Sequence, residues 1–398
     1  MTNATQLEAS FLERAKAMVP KLKERAKETE ELGKLPQETI EELKESGLFT
    51  LLRPKRYGGH QTNIQTYSDC VVELSKGCAS TGWIMALCGI RELMVAESFS
   101  EKAHDEIFGS NPEEVLFAGV YEPRQCKAQK VEGGYMVEEG FWMFCSGSRH
   151  ATWGYFGMPI TNDQGELVDQ VLMTLPFDHM EIQDDWYVMG LKGSGSNSVK
   201  MQNVFVPDHR AVSFSEALNG NFESEHLRDI PLYNTALFPA LILSLGLPAL
   251  GLAKAAHESV IEFLPKRKAA HIGVEYLKDA PSMHLQLSDA AMKIDSAEMH
   301  FKRVAEDLDK WAASGEYMDR QARVRTLADI GHANELCREA FDIVMLSSGS
   351  GYVYEGHPLQ RLFRDFWTLH SHRSLSPSIT KENYGRVLVG LESNALRY

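Results

Sequence analysis

The sequence predicts an α+β chain that is mostly helical and runs in the order helices, strands, helices. Apolar residues recur at helical spacing near the N-terminus, at Leu12, Ala15, Met18, Val19 and Leu22. Later, short runs rich in β-branched and aromatic residues are separated by turn signals, such as the one at 161–165. Long helical patterns then return. We therefore expect an N-terminal helical domain (1–112), a middle antiparallel β-domain (113–225) and a C-terminal helical bundle (226–398).

The composition argues against several classes of partner. The chain has 41 Lys and Arg against 55 Asp and Glu, a net charge of -14, which disfavours nucleic acid and anionic membranes. Its six cysteines form no CxxC pair and no tight Cys/His cluster, as is typical of a reducing cytoplasm, and no metal site is expected. The charged N-terminal segment has no apolar signal-peptide core. We expect a cytoplasmic protein.

Residues 231–253 carry no charge and are rich in Leu and Ala, so hydropathy alone makes them a candidate membrane span. The segment also contains Pro239, Gly246, Pro248 and Gly251, and no second span follows it. We therefore expect a buried helix, in a packed bundle or at a subunit interface.

Common catalytic motifs are absent from the sequence: there is no GxGxxG after a strand, no GxxxxGK[ST], no HExxH and no GxSxG. A dense run of small residues, 190–198, follows Trp186. Backbone and hydroxyl donors in such a run can hold phosphate or ring oxygens of a cofactor, and the same composition also fits a plain hairpin loop.

Two single residues allow both a chemical and a structural interpretation. Ser146, in the sequence FCSGSRHATW at 144–153, either donates a hydrogen bond to a bound molecule or satisfies backbone groups in a turn. Arg91 follows an apolar helical stretch. Taken alone, it fits a surface position, and if it is buried it is a receptor for an anion.

The most specific pattern is the stretch 346–373, LSSGSGYVYEGHPLQRLFRDFWTLHSHR. It resembles the C-terminal flavin-site signature of the acyl-CoA dehydrogenase fold. In dehydrogenases of that fold, the eighth residue after the Asp of this signature is commonly the glutamate base, but here it is Arg373. A guanidinium cannot act as a base at neutral pH. His370 and His372 are instead the candidates to face a flavin, and because they are two apart, at most one of them does.

Over nearly its whole length, the chain resembles the oxygenase components of two-component flavin-dependent aromatic monooxygenases. This family includes p-hydroxyphenylacetate hydroxylase, secosteroid phenol hydroxylase and indole-3-acetate monooxygenase. The matching stretches are LLRPKRYGG at 51–59, CASTGWIMAL at 78–87, FCSGSRHATW at 144–153, WYVMGLKGSGSNSV at 186–199, VFVPDHR at 204–210 and LQRLFRD at 359–365.

The resemblance implies a mechanism. A separate NAD(P)H:flavin reductase supplies reduced flavin (FMNH2 or FADH2), O2 adds at the flavin C4a carbon to give a (hydro)peroxide, and an oxygen atom passes to a small aromatic substrate. By position, Ser146 and His372 are the implied catalytic residues, at flavin N5 and C4a. The implied flavin-binding residues are Trp186, Ser194, Ser196, Asn197, Gly349 and Gly351. A homotetramer is also implied.

The expected substrate contacts are Trp83, Leu87 and Arg91. Phenol-hydroxylating relatives tend to carry a His in this helix, and an Arg in its place suits a carboxylate. Indole-3-acetate is the best candidate substrate, followed by indole. The alternatives are a phenol hydroxylase, an S- or N-oxygenase, a dehydrogenase-like flavoprotein of the same fold, and a non-catalytic helical protein.

Overall fold

Five helices form the N-terminal part of the chain in the computed structural model, which describes residues 3–161, 164, 166–269 and 273–394. They are α1 (Asn3–Leu32), α2 (Gln37–Glu45), α3 (Ile64–Gly77), α4 (Ala79–Ser98) and α5 (Glu101–Phe108). Helix α2 begins after Pro36 and ends shortly before Gly47, whose left-handed φ of 74° turns the chain into the loop that follows.

Two four-stranded sheets form the middle of the chain. In spatial order, the first contains β1 (Phe117–Ala118), β4 (Trp153–Thr161), β5 (Leu167–Pro176) and β8 (Ala211–Ser213). The second contains β2 (Gln125–Val131), β3 (Gly134–Trp142), β7 (Val199–Pro207) and β6 (Glu181–Ile182). The pairs are antiparallel except β1 with β4. An apolar core that includes Trp142 and Phe156 holds the β-region together, and positions 162, 163 and 165 of the expected turn lie outside the described residues.

The last part of the chain is helical, as expected. Its helices are α6 (Phe214–Leu218), α7 (Leu237–Phe263), α8 (Pro281–Ser314), α9 (Arg320–Ser347), α10 (Pro358–His370) and α11 (Pro377–Leu388). The order helices, strands, helices is therefore confirmed. The domain boundaries at 112–113 and 225–226 stay predictions.

Helix α7 contains most of the uncharged segment 231–253. By length and composition, Leu237–Lys266 could cross a membrane, but 89% of its most apolar window is buried inside the chain. Helices α3, α4, α8 and α9 pack against α7. The expected buried helix is confirmed. Because most of its side chains are already covered within one chain, α7 offers little surface to a second subunit.

Helix α4 lies at the centre of the molecule, and all 20 of its residues are buried. Two glycines let α3 approach it closely: a Cβ at Gly82 would lie 1.9 Å from the Ser75 Oγ, and one at Gly89 would lie 2.8 Å from the Tyr67 ring. Side chains from the first sheet, including Phe117, belong to the same apolar core. A polar side chain on α4 is therefore costly unless it has a partner inside the protein or in a bound molecule.

One such partner is Arg53, which forms a buried bidentate ion pair with Glu92 of α4. The Arg53 Nε and Nη2 atoms lie 2.8 Å and 2.7 Å from the two Glu92 carboxylate oxygens. Burial raises the pKa of Glu92, while the Arg53 guanidinium acts to lower it. Arg53 also donates to the carbonyls of Pro112 and Val115. The pair thus joins the loop after α2 to α4 and to the start of the β-region.

Replacing Arg53 with Met should lower the free energy of unfolding by about 3–5 kcal/mol, because the Glu92 carboxylate then stays buried without a counter-charge. Urea denaturation measures this change. The double variant Arg53→Met/Glu92→Leu is the control, since it removes both charges together. It should be more stable than Arg53→Met alone, and a double variant that loses the sum of the two single effects would contradict this account.

Candidate active site

A chain of buried hydrogen bonds joins three distant segments of the sequence. The Trp83 Nε1–H of α4 donates to the Ser146 Oγ at 2.9 Å. The Ser146 Oγ lies 2.7 Å from the Ser196 Oγ, which lies 2.6 Å from the Ser194 Oγ. We call Ser146, Ser196 and Ser194 the serine chain. Because the Ser146 hydroxyl bonds to side chains, the interpretation of Ser146 as a residue that only satisfies a turn backbone is wrong.

Backbone hydrogen bonds fix the two loops that carry the serine chain. The Gly147 N–H donates to the Ser194 carbonyl at 2.9 Å, and the Cys145 N–H donates to the Asn197 carbonyl at 3.2 Å. Left-handed backbone at Gly147 (φ 77°) and Gly195 (φ 51°) allows this close approach. The run 190–198 connects antiparallel strands β6 and β7, as the hairpin-loop interpretation expected. It also forms a buried polar wall.

Aromatic side chains continue this wall toward the solvent. Phe144 is 63% exposed, has a left-handed φ of 64°, and meets the Trp186 ring edge-on with 6.1 Å between ring centroids. The Trp186 Nε1–H donates to the Leu191 carbonyl at 3.1 Å. The Asn197 side chain is held at both ends, by Arg149 and by the Gln183 carbonyl. An apolar aromatic surface beside a row of hydroxyls fits a flat ring with polar edges, such as the flavin isoalloxazine.

The Arg364–Asp365 pair of the C-terminal motif anchors the run 190–198. The Leu191 N–H donates to the Asp365 Oδ1 at 2.6 Å, and Arg364 donates to the Met189 carbonyl at 2.7 Å. Burial raises the pKa of Asp365 to about 6. A Cβ at Gly190 would lie 2.1 Å from the Arg364 carbonyl oxygen, so this contact requires glycine. The sequence showed the motif, but it did not show that Arg364 and Asp365 position the run 190–198.

The structure separates the two candidate histidines. The His372 ring lies 6.3 Å from the Trp83 ring, which places it beside the residue that bonds Ser146. The His370 ring stacks on Phe366, and its Nδ1 lies 2.9 Å from the Asn334 Nδ2 of α9. Burial lowers the pKa of both imidazoles. Of the two, His372 is the histidine that shares the Trp83 site.

The predicted glycines Gly349 and Gly351 are not brought to this site within one chain. Gly349 has a left-handed φ of 64°, and its backbone faces the Arg267 guanidinium, which donates to the Ser348 carbonyl. No hydrogen bond among the described residues joins either glycine to the serine chain. Arg373, which stands where dehydrogenases of this fold carry their base, is exposed.

Arg91 is buried, so the interpretation of this residue as a surface arginine is wrong. Its Nη1 donates to the Leu87 carbonyl at 3.0 Å and its Nη2 to the Gly119 carbonyl at 2.5 Å. Neighbouring Glu92 pairs with Arg53. Within the described parts of the chain, no carboxylate contacts the Arg91 guanidinium. Trp83, Leu87 and Arg91 are spaced by four residues and share one side of α4.

Comparisons with known proteins show the family to which the chain belongs. Residues 5–103 and 243–377 match the N-terminal and C-terminal domains of acyl-CoA dehydrogenase. The flavin-dependent monooxygenase oxygenase subunit HsaA of Rhodococcus jostii is 32% identical over 380 residues, which is 96% of this chain and 98% of that protein. The chain belongs to this family of monooxygenase oxygenase components.

Two further relatives extend the comparison. The p-hydroxyphenylacetate 3-hydroxylase oxygenase component of Acinetobacter baumannii is 26% identical over 384 residues, covering 96% of this chain and 90% of that protein. The solved structure of XiaF from Streptomyces sp., in complex with FADH2 and glycerol, superimposes with a TM-score of 0.91 at 28% identity. That match covers 99% of this chain and 98% of XiaF. The chain is thus a flavin-dependent monooxygenase with the acyl-CoA dehydrogenase fold.

Gly190→Ala should weaken binding of reduced flavin by about tenfold, because the added methyl pushes the run 190–198 away from α10 at an overpacking cost of about 1–3 kcal/mol. Anaerobic titration with reduced FMN and FAD measures the dissociation constants. Gly356→Ala is the matched control, since nothing lies within 4 Å of its Cβ. Wild-type affinity in Gly190→Ala would show that α10 does not position this wall.

Proposed function

We propose that this monooxygenase uses reduced flavin and O2 to oxygenate a small aromatic compound that carries a carboxylate, with indole-3-acetate as the best single candidate. The proposal rests on the burial of Arg91, which lies on the same side of α4 as Trp83. Trp83 in turn joins the two residues proposed as catalytic, Ser146 and His372.

The energetics of Arg91 favour an acidic substrate. A buried guanidinium is costly unless an anion compensates its charge, and two backbone carbonyls supply only partial charges. A substrate carboxylate would add a charge-assisted hydrogen bond of the bidentate kind that arginine prefers. Apolar neighbours on α4, including Leu87 and Met94, suit the aromatic ring. The p-hydroxyphenylacetate hydroxylase relative is also named for an arylacetate.

A neutral indole or phenol is the alternative substrate, and Arg91 would then be held by its two carbonyl partners alone. Arg91→Met separates the two possibilities. We expect this variant to lower kcat/KM for indole-3-acetate by roughly 30-fold or more, since truncating one partner of a buried charge pair costs about 2–5 kcal/mol. Turnover of indole should change little. Equal losses on the acid and on the neutral compound would contradict the carboxylate-receptor role.

His372 is proposed as the residue that acts beside the reacting atoms. When bound, reduced flavin would supply the two electrons that activate O2, so that one oxygen atom of O2 passes to the substrate and the other leaves as water. The His372 Nδ1 accepts a hydrogen bond from the Ser374 N–H at 3.3 Å, so its neutral ring carries the proton on Nε2. Burial lowers the pKa of His372, which favours the neutral ring with its one N–H donor. Ser146 offers a hydroxyl from the neighbouring wall.

The two histidines provide a matched pair of variants. His372→Ala should raise the fraction of consumed O2 that is released as hydrogen peroxide by severalfold, because the Nε2–H donor is lost. His370→Ala should leave that fraction unchanged, since His370 faces Asn334. Hydroxylated product and peroxide are measured in the same anaerobic-to-aerobic mixing experiment. If His370→Ala uncouples the reaction and His372→Ala does not, the assignment is reversed.

The protein is proposed to work in the cytoplasm with a separate NAD(P)H:flavin reductase, in keeping with the names of its relatives as oxygenase subunits or components. It is also proposed to form a homotetramer. Helix α8 exposes Leu285 (74%), Met292 (62%) and Met299 (66%) at seven-residue spacing, which is one apolar stripe. A stripe of this kind on a soluble chain marks an interaction surface, and a second copy of this chain is the occupant we propose.

Met292→Glu combined with Met299→Glu should therefore reduce the mass in light scattering at micromolar concentration, because two charges would be buried at the interface. Leu167→Glu is the control, as this residue is equally exposed but lies on strand β5. A wild-type protein that is already monomeric, or a double variant with unchanged mass, would contradict the α8 interface.

A further inference from the structure

The run 190–198 packs against the N-terminal helix α1 as well as against α10. A Cβ at Gly193 would lie 2.3 Å from the Thr29 Cγ2 and 2.7 Å from the Thr29 carbonyl oxygen, in the last turn of α1. A Cβ at Gly195 would lie 3.2 Å from the Gly33 carbonyl oxygen, just after that helix. Together with the contact to α10 described above, these contacts place the run between two helices from opposite ends of the chain.

A cluster of charges joins the same three elements. Glu30 of α1 accepts hydrogen bonds from both Nη atoms of Arg364, and the Nη2 contact measures 2.9 Å. The Lys192 Nζ lies 3.3 Å from the Glu30 Oε1. The Glu30 and Arg364 side chains are 19% and 18% exposed. Because Arg364 also donates to the Met189 carbonyl, Glu30 acts on both Met189 and Lys192, which flank the contact with α10.

The surroundings of Glu30 favour its charged form. Burial acts to raise the pKa of Glu30, but the hydrogen bonds from Arg364 and Lys192 outweigh it and hold the pKa below its usual value. One effect opposes the cluster: burial raises the pKa of Asp365, and the Glu30 charge adds to that rise. Arg361 and Arg364 act on Asp365 in the opposite sense. A two-pronged arginine–carboxylate contact is stronger than such a longer-range repulsion.

We propose that α1 is the second clamp of the run 190–198 and that Glu30 is the positioning residue of this clamp. Glu30 acts through Lys192 and Arg364, which keep the run seated between α1 and α10. The proposal rests on the flavin site proposed above, because the run carries the flavin-facing wall. It assigns part of the support of that site to the N-terminal helix.

Glu30→Gln tests the clamp, because it keeps the shape of the side chain and removes its charge. The ion pair with Arg364 is partly buried, so its loss should fall between that of an exposed pair and that of a buried pair, and reduced flavin should bind roughly 5- to 30-fold more weakly. Anaerobic titration with reduced FMN and FAD measures the dissociation constants.

Glu31→Gln is the matched control. It makes the same change of charge at the next position of α1, where the carboxylate pairs with the exposed Lys27 at 3.5 Å. This variant should bind reduced flavin as wild type does. A loss equal to that of Glu30→Gln would show that the effect comes from the charge of α1 in general, and would overturn the role of Glu30.

Hydrogen–deuterium exchange of the ligand-free protein measures the clamp without flavin. In Glu30→Gln, the backbone amides of 189–195 should exchange faster than in wild type, while those of α7 should keep their wild-type rates. Faster exchange along the whole chain would indicate a general loss of stability, and would overturn the positioning role.

Turnover separates positioning from chemistry. At saturating reduced flavin, Glu30→Gln should give the wild-type ratio of product to hydrogen peroxide, because Glu30 acts on flavin affinity alone. Glu30→Asp is a milder second variant that keeps the charge on a side chain one methylene shorter, so it should lose less affinity. Wild-type affinity in both variants would overturn the clamp. Failure of wild type to bind reduced flavin would instead overturn the flavin site itself.

Discussion

The complete burial of α4 is the constraint on which the rest of the structure depends. On a helix enclosed on all sides, a polar side chain is costly unless it finds a partner. Glu92 meets Arg53, and Trp83 meets Ser146. Glu97 meets no hydrogen-bond partner among the described residues, and burial raises its pKa well above the usual value, which favours the neutral carboxyl. The residue types on α4 thus determine which loops have to pack against it.

The site arises where these loops meet. Ser146 and the run 190–198 lie in loops next to strand ends. Asp365 of α10 accepts a hydrogen bond from that run, and His372, in the turn after α10, lies beside Trp83. Rigid helices and sheets therefore position side chains that lie on loops, as they do in many enzymes. The same packing leaves Phe144 exposed beside buried hydroxyls. A flat cofactor with polar edges and one apolar face would complete this surface.

The fold could be predicted from the sequence because helical and strand periodicities are local signals. The family resemblance also led to the prediction of Ser146, the run 190–198 and the two histidines as site residues, and their roles stay predictions. Contacts between distant segments could not be predicted. Trp83 and Ser146 are separated by 63 positions, and Leu191 and Asp365 by 174. Spacing alone left the choice between His370 and His372 open, because it depends on how the chain turns after α10. The burial of Arg91 depends on tertiary packing in the same way.

We propose that Trp83 unites Ser146 and His372 into one flavin site. The decisive measurement is a crystal structure of the protein with reduced flavin, obtained without oxygen. We expect the N5 edge of the ring within hydrogen-bonding distance of the Ser146 Oγ, with His372 over the same part of the ring. A ring bound away from the serine chain, with Trp83 and His372 outside the site, would show that these residues do not form the flavin site.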